Sequence, residues 1–190
     1  YNDALSEDCL KIARELFATT RCDNNWILNA KIHAAVELYL ATQEKEYSNF
    51  VLDQQEYICK NIRQTGWYIG RFDKAIGNKK FSKNIRKALP ELQQMYQEYS
   101  VRTPYGVPHD RGNLSSGSWE PQHLGYNYCY LHDAYPDLFE PDYIFNAVQY
   151  LLGMHPGRNQ SEFVTVVGAE TIKQANEVNR ADLSYIPGVV

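Results

Sequence analysis

Apolar residues recur at helical spacing along most of this chain and almost nowhere at the alternation of a strand. A stripe repeating every ~3.6 residues fits a helix face and cannot lie on one side of a pleated strand. Residues 4–19 place Leu5, Cys9, Ile12 and Leu16 on one such stripe, with Asp3 or Ser6 available to cap the start. Residues 26–42 predict a second helix carrying Ile32, Ala35, Val36, Tyr39 and Leu40. Leu28, Ala34, Leu38 and Ala41 lie off that stripe, so cover on more than one side is expected. Residues 46–63 predict a third helix with Phe50, Tyr57, Ile58 and Ile62 inward, broken by the Gly66–Gly70 run GWYIG. Residues 82–100 predict a fourth, capped by Ser82 and kinked or split at Pro90. After an irregular Pro/Gly-rich stretch over residues 102–118, a fifth helix is expected from Gln122 to about Asp133. A sixth is expected from Pro141 to Leu152, with proline in its first turn. The run FVTVV at 163–167 is the one clear strand-like segment, and the tail from Asn179 reads as loop.

The fold class expected from this pattern is all-α, built from helix pairs joined by long loops. Stacked helix pairs form either α-solenoids or toroidal α/α barrels. The loops here are long and aromatic, unlike the short turns of solenoid repeats, which favours the barrel.

Charge and composition narrow the function. The net charge is −4, without the basic footprint expected of a nucleic-acid binder. No run of 18 apolar residues is present to span a bilayer. Cys9, Cys22, Cys59 and Cys129 form no CxxC pair, and Cys129, His132 and His123 make only a loose set for zinc, so neither metal nor cofactor is expected. GxSxG, P-loop and GxGxxG motifs are absent. What stands out is 15 tyrosines and 3 tryptophans. The densest chemistry lies in residues 102–132, with Tyr105, His109, Asp110, Arg111, Trp119, His123 and Tyr126. Aromatic faces pack on sugar C–H groups, while the polar side chains pair with hydroxyls. The same tyrosines could equally pack a covering loop onto the helices.

The run YLLGMHPGRNQSEFVTVVG at residues 150–168 resembles the helix–loop–strand segment of family 9 glycoside hydrolases, the family of endoglucanase-type cellulases. NRADLSYIPG at 179–188 is similar to a bacterial branch of that family. AAVELYLAT at 34–42, TPYGVP at 103–108 and SWEPQHLGYNYCYLHDAYP at 118–136 resemble further family segments in the expected order. The resemblance covers most of the chain from about residue 26, as the C-terminal-central portion of a catalytic domain. It implies an (α/α)6 barrel that cleaves β-1,4-glucans or related polysaccharides with inversion, using two carboxylates set apart to admit a water. The family's base lies in an Asp-rich motif and its acid is a Glu in a later segment; neither motif occurs in residues 1–190, so the catalytic residues remain unassigned. Glu177 precedes Asn179-Arg180 and is in the wrong order to be the acid.

By the same resemblance Arg180 corresponds to an arginine that contacts sugar hydroxyls, and Asn179 stands where the family usually has His. His155 and Arg158 replace the common Asn-Pro spacing of the LG loop. Tyr105, His109 and Trp119 complete the expected substrate-binding set. The implied partners are a poly- or oligosaccharide and the remainder of the same catalytic domain, in a secreted or periplasmic protein. Two readings stand beside this one. A toroidal polysaccharide lyase would use His109, Tyr126 and Arg180 on a uronate, and a non-catalytic helical domain would only bind or scaffold. The 190 residues carry about half the helices of a twelve-helix barrel, so Tyr1 and Val190 are read as cuts, and uncovered apolar flanks are expected.

Overall fold

The computed structural model describes residues 2–103, 105–108, 119–152, 174–175 and 178–179. Among these the chain is all-α: α1 (Asp3–Thr19), α2 (Asn25–Thr42), α3 (Lys45–Asp53), α4 (Gln55–Lys60), α5 (Ile62–Ile76), α6 (Lys79–Ser100), α7 (Trp119–Ala134) and α8 (Asp142–Leu151). A two-residue antiparallel pair, β1 (Gln174–Ala175) and β2 (Val178–Asn179), sets Gln174 opposite Asn179. Asn179 is therefore strand rather than loop, while the strand expected at 163–167 lies outside the described residues.

Asparagines cap three of these helices. The Asn2 side chain accepts from Leu5 N–H at 3.1 Å, in place of the expected Asp3 or Ser6. Asn24 accepts from Ile27 N–H at 3.0 Å. Asn78 accepts from Lys80 and Phe81 N–H, each at 3.1 Å, so α6 begins before Ser82 and Ser82 is not its cap. Pro90 lies inside α6 and does not split it.

The third predicted helix is three pieces. Asn61 turns its amide back onto the Tyr57 carbonyl at 2.8 Å, and the Thr65 hydroxyl reaches the carbonyls of Ile58 and Asn61, each at 3.1 Å. The Tyr57 and Asn61 carbonyls still accept the backbone N–H groups of Asn61 and Thr65, while the Ile58 carbonyl accepts Asn61 N–H at 3.2 Å and the Thr65 hydroxyl, and the ladder steps there. Beyond this joint the expected GWYIG break is absent, and the segment is the middle of α5. Gly66 explains the reversal: a Cβ there would lie 2.5 Å from Leu92 Cδ2. The missing side chain lets α5 approach α6 closely, and that packing outweighs the low helix propensity of glycine.

The chain divides into two compact units, residues 1–92 and 93–190, with the boundary inside α6. The core of the first holds Ile32, Val36, Val51, Ile58, Ile69, Phe72, Phe81 and Leu89. Phe72 and Phe81 meet edge to face at 5.4 Å. Phe17 is the buried residue of α1, against Tyr47 and Phe50. The α1 stripe is uncovered: Leu5 is 58%, Ile12 55% and Leu16 61% exposed. On α2 the off-stripe residues divide, with Leu38 buried but Ala34 and Ala41 exposed. The core of the second unit holds Tyr96, Tyr128, Leu131, Tyr135, Phe139 and Tyr150. There α7 packs on α8, with Gly125 facing Ala147 across the contact: a Cβ at position 125 would meet Ala147 Cβ at 3.4 Å, a close van der Waals distance.

Candidate functional site: a tyrosine-walled groove

Tyrosine concentrates on the inner faces of α7, α8 and the last turns of α6. Helical spacing puts Tyr128 and Leu131 of α7 inward, and Tyr135, just past its end, is buried with them. Tyr128 sits edge to face against Tyr96 at 5.1 Å and Tyr143 at 5.2 Å, and against Phe139 at 5.7 Å. Edge-to-face aromatic contacts hold rings at fixed angles, so the wall is stiff. His132 Nδ1 lies 2.6 Å from the Phe139 carbonyl and pins the connection between α7 and α8. The Gln93 amide donates to the Leu138 carbonyl at 2.7 Å and holds the same connection from the α6 side.

A groove of about 220 Å³ opens beside this wall, lined by Tyr128, Tyr143, Gln97, Glu140 and Asp142 together with Gln93 and Leu138. Glu140 and Asp142 are exposed and flank Pro141 at the start of α8. Burial pushes the Tyr128 hydroxyl well above the usual phenol range, and neighbouring Tyr143, Tyr96, Asp142 and Glu140 add to it. Burial alone does the same to Tyr96. These phenols stay protonated at any physiological pH and can donate. Tyr143 hydroxyl donates to Ser100 Oγ at 3.3 Å, fixing the ring at the groove edge. The groove thus offers a rigid aromatic wall, two carboxylate acceptors and an amide.

A second aromatic contact lies in the same unit. Tyr105 is half-buried with its ring 5.0 Å from that of Tyr150. Its neighbour Gly106 has φ of 66° and its carbonyl accepts from Asn146 Nδ2 at 3.1 Å. On the outer face of α7, Tyr130 and Tyr126 share a 2.6 Å hydroxyl–hydroxyl bond.

Of the expected substrate-binding residues, Tyr105 is placed, and it sits against Tyr150. Trp119 opens α7 and Asn179 closes β2, as backbone positions. His109, His155, Arg158 and Arg180 lie outside the described residues. Of the seven, Tyr105 is the one whose side chain falls among the described residues. Sequence reasoning missed Gln97, Glu140, Asp142 and Tyr143; the available signal was EPDY at 140–143, two acids around a helix-starting proline with a tyrosine next to them. In the loose set considered for zinc, His132 is engaged by the Phe139 carbonyl and Cys129 is exposed. Among the described residues no three His, Cys, Asp or Glu side chains stand together as metal ligands. No helix there is long and apolar enough to cross a membrane.

The chain matches no family model, no curated protein and no solved structure.

Proposed function

We propose that this chain is part of an (α/α)6 catalytic domain that hydrolyses β-1,4-glucans or related polysaccharides with inversion, as its resemblance to family 9 glycoside hydrolases implies. The observation that carries the reading is the groove on α6–α8. A fixed tyrosine wall beside Glu140, Asp142 and Gln97 suits a ligand with apolar ring faces and many hydroxyls. In this reading the groove binds sugar and the two catalytic carboxylates lie in other segments of the domain. Arg180, Asn179, His155 and Arg158, with Trp119, Tyr105 and His109, supply further sugar contacts, and the protein works outside the cytoplasm, where polysaccharides are met. The uncovered face between α1 and α2 supports a larger helical domain. It is a groove of about 790 Å³ lined by Leu10, Leu16, Trp26, Ile27 and Leu38, with Ala13, Ala30 and Ala34 small enough for another helix to approach closely.

The test is calorimetric titration of the chain with cello-oligosaccharides, beside Tyr143→Ala and the conservative Asp142→Asn. Binding that weakens about tenfold in each variant, as expected from losing one ring or one charged acceptor, supports the reading. Equal affinity in all three overturns the groove. For the parent enzyme, release of reducing ends from β-glucan, lost in Arg180→Ala, supports hydrolysis. Unsaturated-uronate absorbance from uronate polymers would instead establish the lyase.

A further inference from the structure

Residues 79–87 at the start of α6 carry five cations, Lys79, Lys80, Lys83, Arg86 and Lys87, and no acid, in a chain whose net charge is −4. Four of them, Lys79, Lys83, Arg86 and Lys87, follow i, i+4, i+7 and i+8 and so share one face of the helix. They line a shallow groove of about 580 Å³ with Asn78 and Ser82. Lys79, Lys83 and Lys87 are exposed, and among the described residues they form no ion pair. The acid that lines the groove, Asp73, is buried and accepts from the Ser82 hydroxyl at 3.1 Å. Glu91, one turn further on, is engaged by Arg63 at 2.9 Å.

This arrangement works against the helix that bears it. The first turn of α6 holds Lys79 and Lys80 and no acid, where the positive end of the helix dipole favours anions. The pairs Lys79/Lys83 and Lys83/Lys87 set like charges one turn apart, which is also destabilising. An external anion running along the face would relieve both costs at once.

We propose that this face of α6 is a docking strip for an acidic polysaccharide, a single flexible chain bearing a carboxylate on successive sugars. Lysines one turn apart present charge every ~6 Å along the axis. Asn78 Oδ1 caps the helix and leaves Nδ2 to donate, and Ser82 Oγ donates to Asp73 and can still accept, so each has one polar function left for a sugar hydroxyl between the charges. No aromatic ring lines the groove, so a single-stranded nucleic acid would find no stacking platform. No large apolar side chain lines it, so an anionic bilayer would find no anchor. The strip stands independently of the tyrosine groove on α6–α8.

The probe is polygalacturonate, measured by affinity electrophoresis at low and at physiological salt, with neutral cellulose oligomers and a single-stranded polynucleotide as the other ligands. The expected result is salt-sensitive retardation by polygalacturonate. The triple variant Lys79→Gln/Lys83→Gln/Lys87→Gln should weaken it about tenfold or more, as three lost charge contacts predict. Lys79→Arg/Lys83→Arg/Lys87→Arg should keep it. Thermal melting of the arginine variant near the wild-type midpoint, and of the glutamine variant at or above it once the like-charge repulsion is gone, shows that the fold is intact. Retardation unchanged in the glutamine variant overturns the strip, as does tighter binding of the polynucleotide. Loss of cello-oligosaccharide binding in Tyr143→Ala with polygalacturonate binding retained shows that the two surfaces are separate.

Discussion

Helices α1 and α5 belong to the same compact unit, and their sequences invite opposite readings. α1 has a clean apolar stripe, capped at its start, which would ordinarily be packed away. α5 contains GWYIG, which reads as a break. In the structure Leu5, Ile12 and Leu16 of α1 face solvent, while Tyr68, Ile69 and Phe72 of α5 are buried. An amphipathic pattern states which face needs cover; it does not say that these residues supply the cover. A glycine pair weakens a helix only when nothing is gained by close approach, and here Leu92 fills the space a Gly66 side chain would take.

The sharpest way to break this comparison is Gly66→Val. The new side chain must displace Leu92, which is 1% exposed and has no solvent to swing into. Overpacking of this kind costs about 1–3 kcal/mol. A urea unfolding midpoint should fall accordingly. An unchanged midpoint would mean that α5 and α6 can separate without loss, and that Gly66 is not what keeps GWYIG helical.

The fold class was legible because it rests on periodicity, which survives tertiary context: the segments predicted as helices over 26–42, 82–100 and 141–152 fall on α2, α6 and α8. Boundaries were less legible. The joint between α4 and α5 carries Asn61 and Thr65 side chains bonded to carbonyls four and seven residues back, a local competition with the helix ladder that apolar periodicity does not register. The groove was half-legible. Tyrosine abundance pointed to residues 102–132, and Tyr128 does form the wall. Gln97 comes from α6, and Glu140 and Asp142 from the turn that opens α8, and no local motif joins those two segments.

Helix α2 sits between the two halves of the comparison. One of its sides is covered by α5, where His33 stacks on Tyr68 at 4.6 Å, meets the Trp67 edge at 4.8 Å, and has Nε2 3.4 Å from Glu37, which also pairs with Arg71. Burial lowers the His33 pKa, against the raising effect of Glu37 and with a further lowering by Arg71. The unfolded chain takes up this proton near pH ~6.5 and the folded chain only at lower pH. The unfolded state therefore binds more protons in that window, and stability falls as pH drops below about 6.5. His33→Gln should flatten the slope of the unfolding midpoint between about pH 6.5 and 5. An identical slope in wild type and variant would show that His33 titrates as freely folded as unfolded, and that α5 does not cover α2 there.

The smallest effect is expected on α1. Leu16→Ser removes an apolar side chain already more than half in water, so stability should change by no more than about 0.5 kcal/mol. The informative measurement is paired with it: binding of an apolar dye to the α1–α2 groove should fall, because Leu16 lines that groove beside Trp26 and Ile27. If Leu16→Ser instead destabilises the chain as much as Gly66→Val does, the α1 stripe is packed in solution and the contrast between the two helices disappears. If stability holds and dye binding falls, α1 is a helix whose apolar face is formed and waiting for cover, and α5 is one whose cover is already in place.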